Sequence, residues 1–276
     1  MEFEVFKTIY LAQVNKIFTI FNDKLQNNLA AHCFGWSAGV FDFKNYLEAS
    51  AIRYYYCYKH FLGKGVMDKN NVNILDIGGF LCAFPLTLAK LGYQVSISEN
   101  MKYYNDGLEN IFNLAESSGV AIIDKDLVSE NIPVGNFTHI CCFALLEHLP
   151  SSPKLLLENI YNNLNPVGKT YIEVPNIAYW RNRWNLFKGV SPLTPIDMIY
   201  KSKIPFIGHH HEYTIGELRW LVHTAGFVIS DELFFNYSIP AKFDIHHALC
   251  RKNIPAYLFN SCKEIMAIIG RKDQVI

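Results

Sequence analysis

Four acidic or imidazole-bearing stretches of this chain have residue types and spacings that could do chemistry. Asp76, Gly78 and Gly79 lie in ILDIGGFLCA, where a strand would run into a turn and then a helix, and glycine there lets backbone approach a ligand closely. Glu99 ends YQVSISE, 21 residues after Gly78, where a carboxylate can accept hydrogen bonds from both hydroxyls of a ribose. Each signal alone is weak; together they point to a nucleoside-containing cofactor. The dinucleotide fingerprint GxGxxG fails at Phe80 and is met only at Ala83. GKT at 168–170 is not a phosphate loop, because Asn163 stands where glycine is required.

Histidines form the other concentration. His148 follows Glu147 in ALLEHL, and His209, His210 and His211 lie in GHHHEYT. If the acceptor is a hydroxyl, a positioned imidazole can take its proton. His148 is the first candidate base and His210 the second, with His209 and His211 as substrate contacts. A metal reading would use His148, His209, His211 and Glu212, but no metal is assigned. Trp180 and Trp184, with Arg181 and Arg183, could bind a sugar or an anionic acceptor, or simply pack an amphipathic helix. Tyr55, in the tyrosine-rich AIRYYYCY, could cover a ligand from an N-terminal lid, although packing explains that segment at least as well. Cys141 and Cys142 read as strand packing, since nothing nearby in sequence would lower a thiol pKa. His246 and His247 have no partner pattern.

The elements that must position these residues follow from periodicity. Between residues 72 and 272 short apolar runs alternate with helical segments, as in βαβ units and a parallel sheet. Strands are expected at VNILDIG, YQVSISE, VAIIDKD, FTHICCFA, KTYIEVPN, VISDELFF and EIMAIIGRK. The helix in TIGELRWLVHTAGF has Thr214 as N-cap and Glu217 three residues on, a capping box. Before residue 66 two or three helices are expected. One carries Val5, Ile9, Val14, Ile17 and Phe21 as its apolar face, and another starts at Asp42 and stops at Gly63 and Gly65. Residues 177–213 fit neither period and are long for a connection, as functional insertions are.

The chain has 25 basic and 25 acidic residues, so nothing in its charge favours a nucleic-acid backbone. Its seven cysteines lack metal or disulfide spacing and read as reduced thiols. No window reaches the uncharged apolar length of a membrane span, and the N-terminus is interrupted by Glu2, Glu4 and Lys7, unlike a signal peptide. A cytoplasmic protein acting on a small molecule is expected; the oligomeric state is left open.

In order and spacing, ILDIGGFLCAFPLTLAKLGYQVSISE, DKDL, FTHICCFALLEHL, LNPVGKTYIEVPN and GHHHEYTIGELRWLVHTAGF resemble the successive motifs of class I S-adenosylmethionine-dependent methyltransferases. The small-molecule enzymes with an LEHL segment after the fourth strand are the most similar. The resemblance implies a doubly wound, Rossmann-like α/β sheet of seven strands, the last antiparallel. It also implies an N-terminal helical cap over residues 1–66, and a methyltransferase domain over 67–276 with a cap insertion at about 177–213. Asp76, Gly78, Gly79 and Phe80 would form the loop beside the methionine part of the cofactor, and Glu99 would take its ribose. Asn100 and Met101 would lie by the adenine, Asp126 and Leu127 would hold its amino group and ring, and Phe143 would line the sulfonium. Phe80 and Cys82 depart from the family's glycines. Related enzymes that bind a divalent ion have E-x-x-E-H, whose first acid is Ala144 here. The expected activity is methyl transfer to a small molecule, O-methylation foremost, with a sugar or glycan precursor as one acceptor class. The rival readings are a catalytically silent scaffold of this fold and a nicotinamide-dependent oxidoreductase.

Overall fold

A computed structural model describes residues 1–22, 25–26, 29, 41–63, 68–101, 108–202, 206, 208–238 and 254–272. The strands are β1 (Asn73–Ile77), β2 (Gln94–Glu99), β3 (Val120–Asp124), β4 (Phe137–Phe143), β5 (Leu164–Pro175), β6 (Phe227–Phe235) and β7 (Ile265–Lys272). They form one sheet in the order β3-β2-β1-β4-β5-β7-β6. Only β7 runs against its neighbours, pairing antiparallel with β5 and β6. All seven expected strands are present, and the fifth starts earlier, at Leu164. Ile74, Leu75, Ile140, Cys141, Cys142 and Ile172 are wholly buried, because helices cover both faces and leave no solvent side to alternate toward.

The order of strands reverses between β1 and β4, and the turns beyond the carboxyl ends of β1, β2 and β4 share one edge. Helix α4 (Ala83–Lys90) follows β1, α5 (Glu109–Ser117) precedes β3, and α6 (Lys154–Asn163) precedes β5. Asn163 fastens that last return by accepting hydrogen bonds from Val134 and Gly135 N–H at 2.7 and 3.2 Å. The helix Ile215–Thr224 carries the expected capping box between Thr214 and Glu217.

Helix α1 (Phe3–Ile20) buries Phe6, Tyr10, Val14 and Ile17, while Val5 is exposed. The apolar face is therefore displaced by one residue from the aliphatic series Val5–Ile9, because the larger Phe6 and Tyr10 rings remove more surface from water. The second expected helix divides at Ser50 into α2 (Phe43–Ala49) and α3 (Ala51–Cys57), then widens into a π-helical turn, Tyr58–Leu62. Asp42 caps α2 by accepting from Asn45 N–H at 2.9 Å. Gly63 ends the turn, while Gly65 lies outside the described residues. These helices share one continuous apolar core with β1, β2 and α4.

Residues 177–213 are partly helical, at α7 (Trp180–Phe187) and α8 (Ile196–Lys201). Their base is closed where Asn176 bridges Tyr213 in parallel and Ile177 N–H donates to Tyr213 O at 3.0 Å. Asn176 anchors this junction by donating to Ser261 O and Lys263 O. No described helix is long and apolar enough to cross a membrane.

One buried imidazole makes the fold sensitive to acid. His139 in β4 meets Phe61 edge-on at 4.9 Å, and burial followed by the Lys169 charge lowers its pKa to about 4. The unfolded chain then binds more protons than the folded one between about pH 6.5 and 4, so stability falls as pH falls through that window. About 1.5 kcal/mol should be lost between pH 6.5 and 5, and His139→Gln should remove that share of the slope in urea unfolding across this range.

Candidate active site

The carboxyl edge of β1, β2 and β3 gathers the residues expected to hold a cofactor. Asp76 is buried, and among the described residues its Oδ1 has no hydrogen-bond partner. Burial, then the neighbouring Glu99 charge, pushes its carboxyl well above the usual range. Gly78 has φ +74°, and its N–H donates to Ser98 O at 2.9 Å, fixing the turn to β2. Gly79 is needed for space, because a Cβ there would lie 2.9 Å from Ile97 Cγ2. Phe80 and Cys82 both adopt the left-handed conformation, with φ 45° and 59°. They take the backbone geometry that glycine would supply, at a cost of about 1 kcal/mol each. The Cys82 side chain is buried in the core, and Phe80 packs toward Phe43 with centroids 6.1 Å apart.

Glu99 ties the loop to β2 by accepting from Phe80 N–H at 3.1 Å. Beside it, Asn100 Nδ2 donates to Asp126 at 3.2 Å, and Met101 N–H donates to Asp124 at 3.1 Å. Leu127 is buried in the core below this rim, and its carbonyl accepts from Asn159 Nδ2 at 2.8 Å. Phe143 ends β4 edge-on to Tyr54 and Phe84, at 5.1 and 5.3 Å. These positions therefore share one edge of the sheet. Since the Cys82 side chain is turned into the core, Cys82→Gly should leave S-adenosylhomocysteine affinity within about threefold of the parent, about 0.7 kcal/mol. A tenfold gain in calorimetric titration would show instead that its Cβ holds the loop away from the ligand.

The second group forms beyond β4. Leu146–His148 is a 3-10 turn, and the carbonyl of Glu147 accepts from His210 N–H at 2.7 Å and His211 N–H at 3.4 Å. These bonds bring the 208–211 segment to the turn, so that His148 and His209 meet edge-to-face at 4.7 Å. The Glu147 side chain is wholly buried, and burial raises its pKa to about 7 despite its own backbone N–H and the His209 charge. Burial opposes protonation of His209, but the hydrogen bond to Glu212 and the Glu147 charge prevail and raise its pKa. Leu145, just before the turn, reaches 3.5 Å from where a Cβ on Gly78 would sit, so this group adjoins the loop after β1.

Not every expected contact is gathered here. His210 is exposed and its Nε2 lies 3.0 Å from Phe206 O, so its backbone serves the turn while its ring is directed elsewhere. His211 packs against Tyr213 and pairs with Glu217 at 3.6 Å, beside an open surface groove of about 520 Å³ that includes Trp220 and Leu221. Tyr55 points toward α1, packed on Phe3 and Phe6 and bonded to Met1 O at 3.4 Å. From the same helix Tyr54 reaches the sheet edge, stacked on Phe84 at 4.8 Å. Trp180 begins α7, with its ring 5.7 Å from Trp184. Residues His246 and His247 lie outside the described residues.

Glu147, Arg53 and Glu173 are buried charged residues beside these groups that the sequence reading did not single out. Arg53 Nε donates to Glu173 Oε1 at 2.7 Å, and Tyr171 OH donates to Oε2 at 3.3 Å. Glu173 stands opposite Phe143 in the β4–β5 register, and its carbonyl accepts from Ala144 N–H at 2.9 Å. The adjacency of Glu147 to His148 was a usable signal, whereas nothing local links Arg53 to Glu173.

A family model described as a methyltransferase domain matches residues 60–232. Among solved structures, a chain of the complex between the Haloferax volcanii Trm112 methyltransferase activator and a putative methyltransferase superposes with a TM-score of 0.57 at 12% identity. That match covers 91% of this chain and 98% of that one. Magnesium protoporphyrin IX methyltransferase from Synechocystis PCC 6803, with bound SAH, gives 0.56 at 11% identity over 94% and 99% of the two chains. An S-adenosylmethionine-dependent methyltransferase from Mesorhizobium loti gives 0.53 at 14% identity over 81% and 98%. At such identities these likenesses show the fold alone. No curated protein matches the sequence.

Proposed function

The chain belongs to the methyltransferase-domain family, and from that premise we propose that it moves a methyl group from S-adenosylmethionine to a hydroxyl of a small-molecule acceptor. The observation that carries this reading is the edge formed by Asp76, Gly78, Gly79 and Glu99. Despite Phe80 and Cys82, the loop keeps the left-handed geometry of a glycine turn. The residues present fit the donor: Asp76 Oδ1 is buried without a partner among the described residues, and Glu99 ends β2 at hydrogen-bonding distance from the loop. When bound, S-adenosylmethionine supplies an electrophilic methyl on sulfur.

The protein's part is placement. Gly78 and Gly79 bring backbone to the donor, Glu99 accepts from the ribose hydroxyls, and Asn100, Met101 and Asp126 border the adenine. Phe143 walls the reacting end. Holding acceptor and methyl in line supplies much of the acceleration. A hydroxyl acceptor must lose its proton, and the Glu147, His148 and His209 cluster adjoins that end, with His148 the solvent-accessible member that takes it. The 177–213 insertion and the N-terminal helices border the acceptor space. A sugar or glycan precursor suits the aromatic and cationic residues Trp180, Arg181 and Trp184 at the start of the insertion.

Incubation with methyl-labelled S-adenosylmethionine and a panel of sugars, nucleotide sugars and phenols tests this reading. Label should enter a hydroxyl-bearing acceptor, with S-adenosylhomocysteine formed in equal amount. Label entering only amines would overturn the O-methylation part.

A further inference from the structure

The insertion after β5 wears its apolar side outward. From residue 177 to 202 no residue is buried. In α7, Trp180, Trp184 and Phe187 recur at helical spacing and share one side, with successive ring centroids 5.7 and 5.6 Å apart. Asn182 and Asn185 take the opposite side. A helix lying on a water-exposed protein surface turns its apolar stripe to the core and its polar face to solvent. Here the asparagines are the half-buried residues, while Phe187 is 81% exposed and Leu186 65%. Helix α8 continues the display, with Ile196 and Tyr200 one turn apart and 78% and 89% exposed. Of the fifteen large apolar side chains exposed among the described residues, eight lie in 184–200. Such a concentration differs from the singly scattered apolar residues that any surface carries, and it marks an interaction face.

The local charge says what would cover this face. Across 180–201, Arg181, Arg183, Lys188 and Lys201 stand against Asp197 alone, in a chain whose total charge balances. On α7 the cations border the aromatic side: Arg181 and Lys188 lie along one edge of it and Arg183 along the other. Arg183 also ties the helix to the body, donating to Ala178 O at 2.6 Å and Ser261 O at 3.1 Å, which fixes the side turned outward. Lys188 Nζ stands 6.0 Å from the Trp184 ring centroid. The boundary between lipid head groups and acyl chains accepts this combination, since rings and aliphatic side chains enter it while long cationic side chains reach out to phosphate. The core of a protein–protein interface, by contrast, is depleted in lysine.

We propose that residues 180–201 seat this protein reversibly on the surface of an anionic lipid bilayer. Phe187, Ile196 and Tyr200 enter the acyl boundary, and Arg181, Lys188 and Lys201 meet lipid phosphates. The contact lies along the interface rather than across the membrane, because α7 has eight residues and α8 six, with Pro192 and Pro195 between them. The insertion leaves the sheet at the carboxyl end of β5, and its base is tied to Tyr213 beside the histidine turn. A seated chain therefore holds the edge that carries the candidate site near the lipid head groups.

The test mixes the full chain with vesicles of phosphatidylcholine, with and without phosphatidylglycerol, and measures the share of protein that sediments with lipid. The chain should sediment with the phosphatidylglycerol vesicles, far less with phosphatidylcholine alone, and less as salt is raised. Lys188→Gln combined with Lys201→Gln should lower the partition coefficient roughly 10- to 30-fold. Phe187→Ser, Ile196→Ser and Tyr200→Ser together should abolish sedimentation at unchanged Tm, because these side chains support no packing. No sedimentation of the parent chain, equal binding to both vesicles, or sedimentation indifferent to the three serine substitutions would overturn the proposal. A parent dimer in sedimentation velocity that the serine substitutions convert to monomer would also overturn it, by giving this face to a second copy of the chain.

Discussion

Replacing Arg53 by alanine should lower the unfolding free energy by about 3–5 kcal/mol, because it strands Glu173 as an uncompensated charge in the interior. Both side chains are almost completely buried, and the guanidinium binds Glu173 through Nε and a terminal nitrogen at 2.7 and 2.5 Å. It also donates to Tyr46 OH at 3.3 Å and lies 5.7 Å from the Tyr237 ring. One substitution therefore unties α2, α3, β5 and the segment after β6. In a chain of this size Tm should fall on the order of 10 °C. The pair Arg53→Met with Glu173→Leu should recover most of the loss, because it removes both charges and keeps apolar volume. Thermal unfolding of the three variants checks this. A loss below 1 kcal/mol for Arg53→Ala would mean that water reaches the pair.

Glu99→Ala should weaken S-adenosylmethionine and S-adenosylhomocysteine roughly 10- to 100-fold, since hydrogen bonds to an ionised carboxylate contribute about 1.5–3 kcal/mol. Two contributions coincide at this residue. A carboxylate offers about four acceptor sites, so on the proposed placement Glu99 would accept from the ribose in addition to the Phe80 N–H that it binds. Losing it therefore removes a ligand contact and loosens the loop. Glu99→Gln retains a carbonyl oxygen for Phe80 and should lose less. Equal affinity in all three proteins, measured by calorimetric titration, would show that the ribose does not lie at β2.

The sheet was legible because strands buried on both faces read as unbroken apolar runs between helical segments. The edge that carries Asp76, Gly78 and Glu99 followed from strand order alone. What escaped depends on contacts between distant segments. Arg53 and Glu173 are separated by 120 positions and by four intervening strands, so no window contains both. Tyr54 and Tyr55 are indistinguishable by composition, and only the packing of α1 sends one to the sheet edge and the other against α1 itself. In GHHHEYT three adjacent histidines are equivalent as sequence. The two backbone N–H groups spent on the Glu147 carbonyl turn His209 toward the cluster and leave His210 and His211 outside it. Helix α8 was not legible, and α7 only as the amphipathic alternative at Trp180 and Trp184, because both are short and bury no residue completely, which removes the periodic signal.

The left-handed turn at Phe80 and Cys82 bears directly on whether the loop binds. A chain losing its cofactor would be free to relax these residues to negative φ, yet both hold the strained conformation beside Glu99. Titration of the full chain with S-adenosylhomocysteine, with NAD as the comparison ligand, measures this most directly. One equivalent of S-adenosylhomocysteine should bind at micromolar concentration, with no heat from NAD. No binding of S-adenosylhomocysteine at millimolar ligand would contradict the account and leave a methyltransferase fold that has become a silent scaffold.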